Sequence, residues 1–297
     1  MRERLEGIAE ELADLAIDRL RAAVDGNDGT FYLIASAGNF APGTYTGSVV
    51  VSSTSRDLQM SLTVSVTMQV APVTRDPGDF SGDGTFDIIW QHQTQGWLSV
   101  WKMNGATLQS GESLDPDRVA DTDWKVVGTG DFNGDGHPDL LWHHRTQGWV
   151  SAWLMNGTRQ VTGVSLFPDR VADTNWEIMA TGDFNGDGRR DILWQHRIDG
   201  LISVWLMNGT TLMDGRLLTP DRVASPEWRI AGAGDFNGDG KSDIVWQNDT
   251  NGWLSVWYMN GTSMAEGVWL NPADVGDTNW KIRAVGDINA DGKPDLL

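Results

Sequence analysis

The chain contains no cysteine, so no disulfide braces it, and no cysteines or suitably spaced histidines offer a zinc site. No run of about 18 apolar residues occurs, which excludes a membrane-spanning helix. Catalytic signatures are missing as well. There is no G-x-S-x-G, no H-E-x-x-H and no phosphate loop, so the expectation is a protein that is not an enzyme. Basic residues are too few to balance the acids, and the formal net charge is -19. That surface repels nucleic acid and anionic membranes and suits a chain partly neutralised by cations. Residues 1–24 are not expected to be an export signal. They instead carry Leu5, Ile8, Leu12, Leu15, Ile17 and Leu20 at near-helical spacing among acids and arginines, which predicts an amphipathic helix.

What the chain does have is glycine and tryptophan, 35 and 16 of them, against 3 tyrosines. Many turns and a recurring aromatic position account for that mix. Asp79, Asp131, Asp183, Asp235 and Asp287 each open a similar acidic stretch, and they stand at one constant interval with no insertion. Four tryptophan slots recur with them. One holds Trp90, Trp142, Trp194 and Trp246. A second holds Trp97, Trp149 and Trp253, with Leu201 in the third repeat. The others hold Trp101, Trp153, Trp205 and Trp257, and Trp124, Trp176, Trp228 and Trp280.

Each repeat reads as four short strands. In residues 176–219 these are "WEIMATG", "DILWQH", "LISVWLM" and "TLMDGRLL", with an acidic loop after the first and Asn208-Gly209 as a hairpin turn before the last. "TPDRVASPE" then reads as the link to the next repeat. A four-stranded meander of this length predicts an all-β fold of β-propeller blades, four complete and a partial fifth; a solenoid would have shorter repeats. Ahead of them, residues 43–70 alternate apolar and polar positions as a two-stranded hairpin. The expected organisation is a helical segment over 1–30, a partial immunoglobulin-like β segment over 31–72 and the repeat region over 73–297. The first repeat lacks a first strand, because residues 71–78 read "APVTRDPG". An open arc of four blades is therefore expected, or one completed by another copy of the chain. A ring of four would require residues 280–286 beside residues 88–92.

In "DFNGDGRRD" oxygen-bearing side chains fall at positions 1, 3, 5 and 9, and the carbonyl of position 7 can turn inward. The predicted sets are Asp79, Ser81, Asp83, Thr85 and Asp87; Asp131, Asn133, Asp135, His137 and Asp139; Asp183, Asn185, Asp187, Arg189 and Asp191; Asp235, Asn237, Asp239, Lys241 and Asp243; and Asp287, Asn289, Asp291, Lys293 and Asp295. This is the donor pattern of Ca²⁺, a hard cation that takes six to eight oxygens, and up to five ions are expected. The alternative is an Asx-rich turn without metal. Carboxylates are abundant enough for glycosidase acid pairs, but their repetition favours calcium.

Packing between blades is expected for the Trp90, Trp101 and Trp124 slots. Trp97, Trp149 and Trp253 follow a glycine turn, tolerate Leu201, and are the candidates for exposed aromatics that stack on sugar. His92, His143 and His196 lie near them, with Asn248 in the fourth repeat; a residue recurring blade by blade suggests a hydrogen-bonded role rather than a catalytic one. Asp117-Arg118, Asp169-Arg170 and Asp221-Arg222 read as local ion pairs.

"GDFNGDGHPDLLW" and its copies resemble the FG-GAP/VCBS repeats of bacterial surface proteins, which are related to the calcium blades of integrin α-subunit propellers. The Phe-Gly and Gly-Ala-Pro signatures of the eukaryotic repeat are missing. Residues 43–70 resemble the last strands of a BACON-type immunoglobulin-like sandwich. The resemblance implies a secreted or cell-surface bacterial protein that binds calcium and acts in adhesion, with a glycan or a cell-surface protein as partner. It also leaves open the non-catalytic propeller of a secreted carbohydrate-active enzyme, and a self-assembling extracellular scaffold joined through open blade edges.

Overall fold

The computed structural model describes residues 19–24, 31–36, 43–52 and 61–70 as strands, and residues 78–297 apart from 224 and 226. The chain divides into two compact units, residues 1–73 and 74–297. None of the described residues is helical, and none belongs to a helix long and apolar enough to cross a membrane.

In the first unit, β1 (Arg19–Val24) pairs antiparallel with β2 (Phe31–Ser36), and β3 (Gly43–Ser52) with β4 (Ser61–Val70). The second pair is the hairpin that the alternation predicts. The first corrects the helix expected to run to residue 24. Over Arg19–Val24 the apolar residues Leu20, Ala22 and Val24 alternate with period two, and the aromatic and β-branched stretch of β2 supplies a partner. The rest of that predicted helix, residues 1–18, lies outside the described residues.

The second unit is a series of antiparallel meanders, a β-propeller-like repeat fold. The first has three strands, β5 (Ile88–Gln91), β6 (Trp97–Asn104) and β7 (Thr107–Arg118). The next three have four strands each. They are β8 (Trp124–Gly130), β9 (Asp139–His144), β10 (Trp149–Asn156) and β11 (Arg159–Arg170); β12 (Trp176–Gly182), β13 (Asp191–His196), β14 (Leu201–Asn208) and β15 (Thr211–Arg222); and β16 (Trp228–Gly234), β17 (Asp243–Asn248), β18 (Trp253–Asn260) and β19 (Ser263–Asp274). A fifth meander begins with β20 (Val285–Gly286) paired to β21 (Asp295–Leu296). The fourth strand is longer than the sequence suggests and takes in "TPDR" of the expected link. After a bulge Arg222 returns to register opposite Leu201, and Thr219 makes a parallel bridge to Ser263 of the next meander.

The core lies between meanders. Leu98, Val100 and Leu114 of the first pack with Leu140, Trp142 and Met155 of the second, and the same positions repeat twice along the array. Trp142, Trp194 and Trp246 are thereby 1–2% exposed, whereas Trp90 in the first meander is 47% exposed.

Backbones approach closely where the first strand ends. A Cβ at Gly130, Gly182 or Gly234 would collide with Arg190, Ser242 or Pro294, in each case the eighth residue of the next acidic loop. A Cβ at Gly286 would collide with the ring of Phe86, the eighth residue of the first loop. The array therefore returns to its own beginning after five positions, which corrects the expectation for the ends. It is not an open arc of four. Nor do residues 280–286 complete the first meander, since among the described strands β5 pairs only with β6.

Candidate metal loops and aromatic slots

The second to fifth acidic loops join the first strand of a meander to the second, the first leads into β5, and Asp at position 1 organises each of them. Asp183 Oδ1 accepts the amide N–H groups of Gly186 and Asp187, and Oδ2 accepts that of Gly188. Asp131 and Asp235 repeat those bonds. Asp79 accepts the same three donors and adds the Ser81 hydroxyl, and Asp287 accepts Asp291 and Gly292. Asn133, Asn185, Asn237 and Asn289 at position 3 accept the N–H of the Asp two residues on. Asp135, Asp187, Asp239 and Asp291 at position 5 accept the N–H of His137, Arg189, Lys241 and Lys293. Thr85 makes that bond to Asp83 and adds its hydroxyl at 2.6 Å. The side chain of Lys241 turns away to Asn260.

Position 9 differs in kind. Asp139, Asp191 and Asp243 are fully buried at the foot of the second strand. Each spans two elements. Asp139 Oδ2 accepts Phe132 N–H inside the loop, and Oδ1 accepts Met155 N–H from the third strand, both at 2.8 Å. Asp191 and Asp243 do the same with Phe184 and Met207, and with Phe236 and Met259. Asp87 holds Ser81 and Met103, and Asp295 accepts Ile288 N–H. Burial pushes the Asp139 carboxyl up to about 7 and Asp191 to about 6, against the pull of their N–H donors, and the neighbouring loop aspartates add to the rise. Asp87 and Asp243 shift upward for the same leading reason.

These loops fit a hard divalent cation by chemistry. They offer carboxylates at 1, 5 and 9 and an amide or hydroxyl oxygen at 3, and they concentrate negative charge that burial penalises. As they stand they are closed by hydrogen bonds, and none brings ligand atoms of three Asp, Glu or His side chains within 4.8 Å of one another. Among the described residues that convergence occurs at Asp121, Asp123 and His144. The hydrogen bonds argue against metal there. His144 Nδ1 accepts Gln147 N–H, which leaves the ring proton on Nε2, facing Asp121 Oδ2 at 3.2 Å. A neutral imidazole that ligates through Nε2 must carry its proton on Nδ1, where it would confront the Gln147 donor.

The same bonds explain the recurring histidine slot, which is His92, His144, His196 and Asn248; His143 belongs to the position before it. His92 Nδ1 accepts Thr94 and Gln95 N–H, and Asn248 Oδ1 accepts Thr250 and Asn251 N–H. The slot supplies an acceptor that closes the turn into the third strand. His196 departs from it, with Nδ1 against Asp199 and Nε2 against Asp173.

Trp97 and Trp253 are 45% and 48% exposed, and Trp149 is partly buried with its ring N–H on Gln147. Opposite this slot in the register stand Arg118, Arg170, Arg222 and Asp274. Arg118 and Arg170 lie over the rings of Trp97 and Trp149 at 5.1 and 5.0 Å, and each donates from Nε to a turn carbonyl, of Gln95 or Gln147. The ion pair expected within "PDR" is thus found at Asp221-Arg222, where Leu201 gives the arginine no ring to cover. The sequence reading missed the exchange of Arg for Asp274, although the residue is visible in the repeat alignment.

The FG-GAP-like repeat family matches residues 79–142, 131–194 and 235–297, together more than half of the chain. No curated protein matches. Among solved structures, a chain of the Photorhabdus luminescens Tc holotoxin pore carrying the mutation TccC3-D651A is similar at 16% identity and a TM-score of 0.44. The similarity covers 95% of this chain and 13% of that one.

Proposed function

Because the chain belongs to the FG-GAP-like repeat family, we propose that it is a calcium-stabilised extracellular module for binding or adhesion, with no catalytic step of its own. One observation carries the reading. In the first four loops a buried carboxylate at position 9, raised by burial and by its acidic neighbours, ties the loop to the third strand of its meander. Bound Ca²⁺ would supply the positive charge that lets these groups stay ionised together. The ligands would be the oxygens at positions 1, 3, 5 and 9, from Asp183, Asn185, Asp187 and Asp191 in the third loop and their counterparts elsewhere. With the loops held, the meanders keep their spacing and the strand ends present a fixed surface. The repeat class and the acidic surface support a place outside the cell, at a glycan or a protein surface.

The test is metal analysis of the purified chain together with melting curves in EDTA, Ca²⁺ and Mg²⁺. Binding stabilises by about 2.7 kcal/mol per site at a hundredfold excess over Kd. The expected result is a large fall in Tm in EDTA, restored by Ca²⁺ better than by Mg²⁺. An unchanged melting curve with no metal found overturns the calcium reading.

A scaffold subunit is the second reading, favoured by the exposure of Trp90 and Trp101, whose counterparts in the next three meanders are better covered. A concentration-dependent mass in light scattering, abolished by Trp90→Ser, would support it.

A further inference from the structure

One meander departs from the pattern of the others at the mouth of its aromatic slot. In the first three, position 269 of the fourth is occupied by Ser113, Ser165 and Leu217, and an arginine stands opposite the tryptophan slot. In the fourth, Trp269 and Asp274 replace them both. Trp269 pairs across the sheet with Ser255, two residues from Trp253, so the two indoles share a face. Their centroids are 5.5 Å apart with the planes at 83°, which makes a right-angled corner. Trp228 stands behind Trp269 at 5.9 Å and is partly buried against the core, which braces the corner. Trp269 is 59% exposed. No arginine covers Trp253, because its register partner is Asp274. That carboxylate is itself fixed, with Oδ1 accepting Gly276 N–H at 2.9 Å.

We propose that Trp253, Trp269 and Asp274 form a single carbohydrate-binding site for a neutral pyranose. The proposal rests on the reading of the chain as a binding module and says where and what it binds. A pyranose has an apolar C–H face and a rim of hydroxyl groups. One indole offers a floor for that face, the other a wall, and both are rigid, so little entropy is lost on binding. The second oxygen of Asp274 accepts a hydroxyl, a charge-assisted bond. The same carboxylate, on a chain of net charge -19, disfavours uronates and other anionic sugars. Trp97 and Trp149 do not contribute, since guanidinium groups lie over their rings.

The exchange of residues between meanders supplies the test. Asp274→Arg restores the arginine that the first three carry, and Trp269→Ser restores the serine of the first two, so both changes suit the fold. The full chain, in Ca²⁺, would be run by affinity electrophoresis through gels containing mannan, dextran, galactomannan, xyloglucan or polygalacturonate. The wild type should be retarded by at least one neutral polysaccharide and not by polygalacturonate. Both variants should bind about tenfold more weakly with Tm unchanged, and Trp149→Ser should bind as the wild type does. Retardation of Asp274→Arg equal to wild type, equal loss in Trp149→Ser, or no retardation by any neutral polysaccharide overturns the site. The calcium reading is scored separately by the EDTA melting curve, so the two failures are distinguishable.

Discussion

The side-chain amide of Gln91 donates to the carbonyl of Trp124 at 2.8 Å and accepts the N–H of Val126 at 3.1 Å, joining one meander to the first strand of the next. Gln195 and Gln247 repeat the bridge to Trp228 and Ile230, and to Trp280 and Ile282. In the second meander the position is His143, which is buried and whose Nε2 has no hydrogen-bond partner. His143→Gln should therefore stabilise the protein by about 1–2 kcal/mol, by adding two bonds and removing an orphaned group. Denaturant melts at pH 7.5 would read the gain; a destabilised variant would show that the glutamine cannot reach.

His143 also sets a pH dependence. Burial holds its pKa down at about 4, against an unfolded value of 6.5. The unfolded chain thus binds a proton between those values that the folded chain refuses. Stability is fully present above pH 6.5 and is lost as pH falls toward 4, by about 3 kcal/mol for this group at the limit. Comparing His143→Gln with the wild type at pH 7.5 and pH 5 isolates it, and the variant's advantage should widen at pH 5. An advantage that stays constant would contradict the assignment.

Ala290 is the one described residue other than glycine with positive φ, at 59°, where the first four loops place Gly82, Gly134, Gly186 and Gly238. A left-handed alanine costs about 1 kcal/mol relative to glycine. Ala290→Gly should raise stability by that amount and tighten the Ca²⁺ binding proposed for the fifth loop. Calorimetry of the variant checks both, and no change in either would mean that the loop relaxes around the alanine.

Asp191 accepts two N–H bonds, from Phe184 and Met207, through its two oxygens. Asparagine keeps one acceptor and points an N–H₂ at the other donor, leaving a buried clash that costs about 1–3 kcal/mol. On the proposed calcium reading, Asp191→Asn should also lower the calcium content by one ion per chain. A melting curve and metal analysis read the two effects independently.

Much of this architecture is visible in the residues themselves. "DILWQH" reads as a strand because the short apolar run Ile192-Leu193-Trp194 lies between an acidic loop and a glycine turn, and it matches β13, which is buried on both faces. The loops announce themselves through aspartate at constant positions. The arginine lids over Trp97 and Trp149 are harder to foresee, because they depend on a bulge that returns Arg118 and Arg170 to register after several unpaired residues. The hydrogen-bonded rather than converging state of the loop carboxylates is equally a matter of geometry. Gly286 against Phe86 required the curvature of the whole array, which no local pattern encodes. At Arg19–Val24, a short period-two pattern is hidden inside a longer sequence pattern of near-helical spacing.

The contacts between meanders have one further property. Thr181 donates to the carbonyl of Thr129, and Arg229 pairs with Glu177 at 2.6 Å, each across a separation of 52 residues. Each of these joins one unit to the next at an offset of one repeat, and the glutamine bridges, at their own spacing, recur from one unit to another. A genetic crossover between two out-of-step copies, wherever it falls within the unit, deletes or inserts one whole period and rejoins matching halves at the seam. The gene is thus free to lengthen or shorten by recombination without creating a single unfamiliar interface along the row, and selection acts on how many units there are before it acts on how any one of them packs.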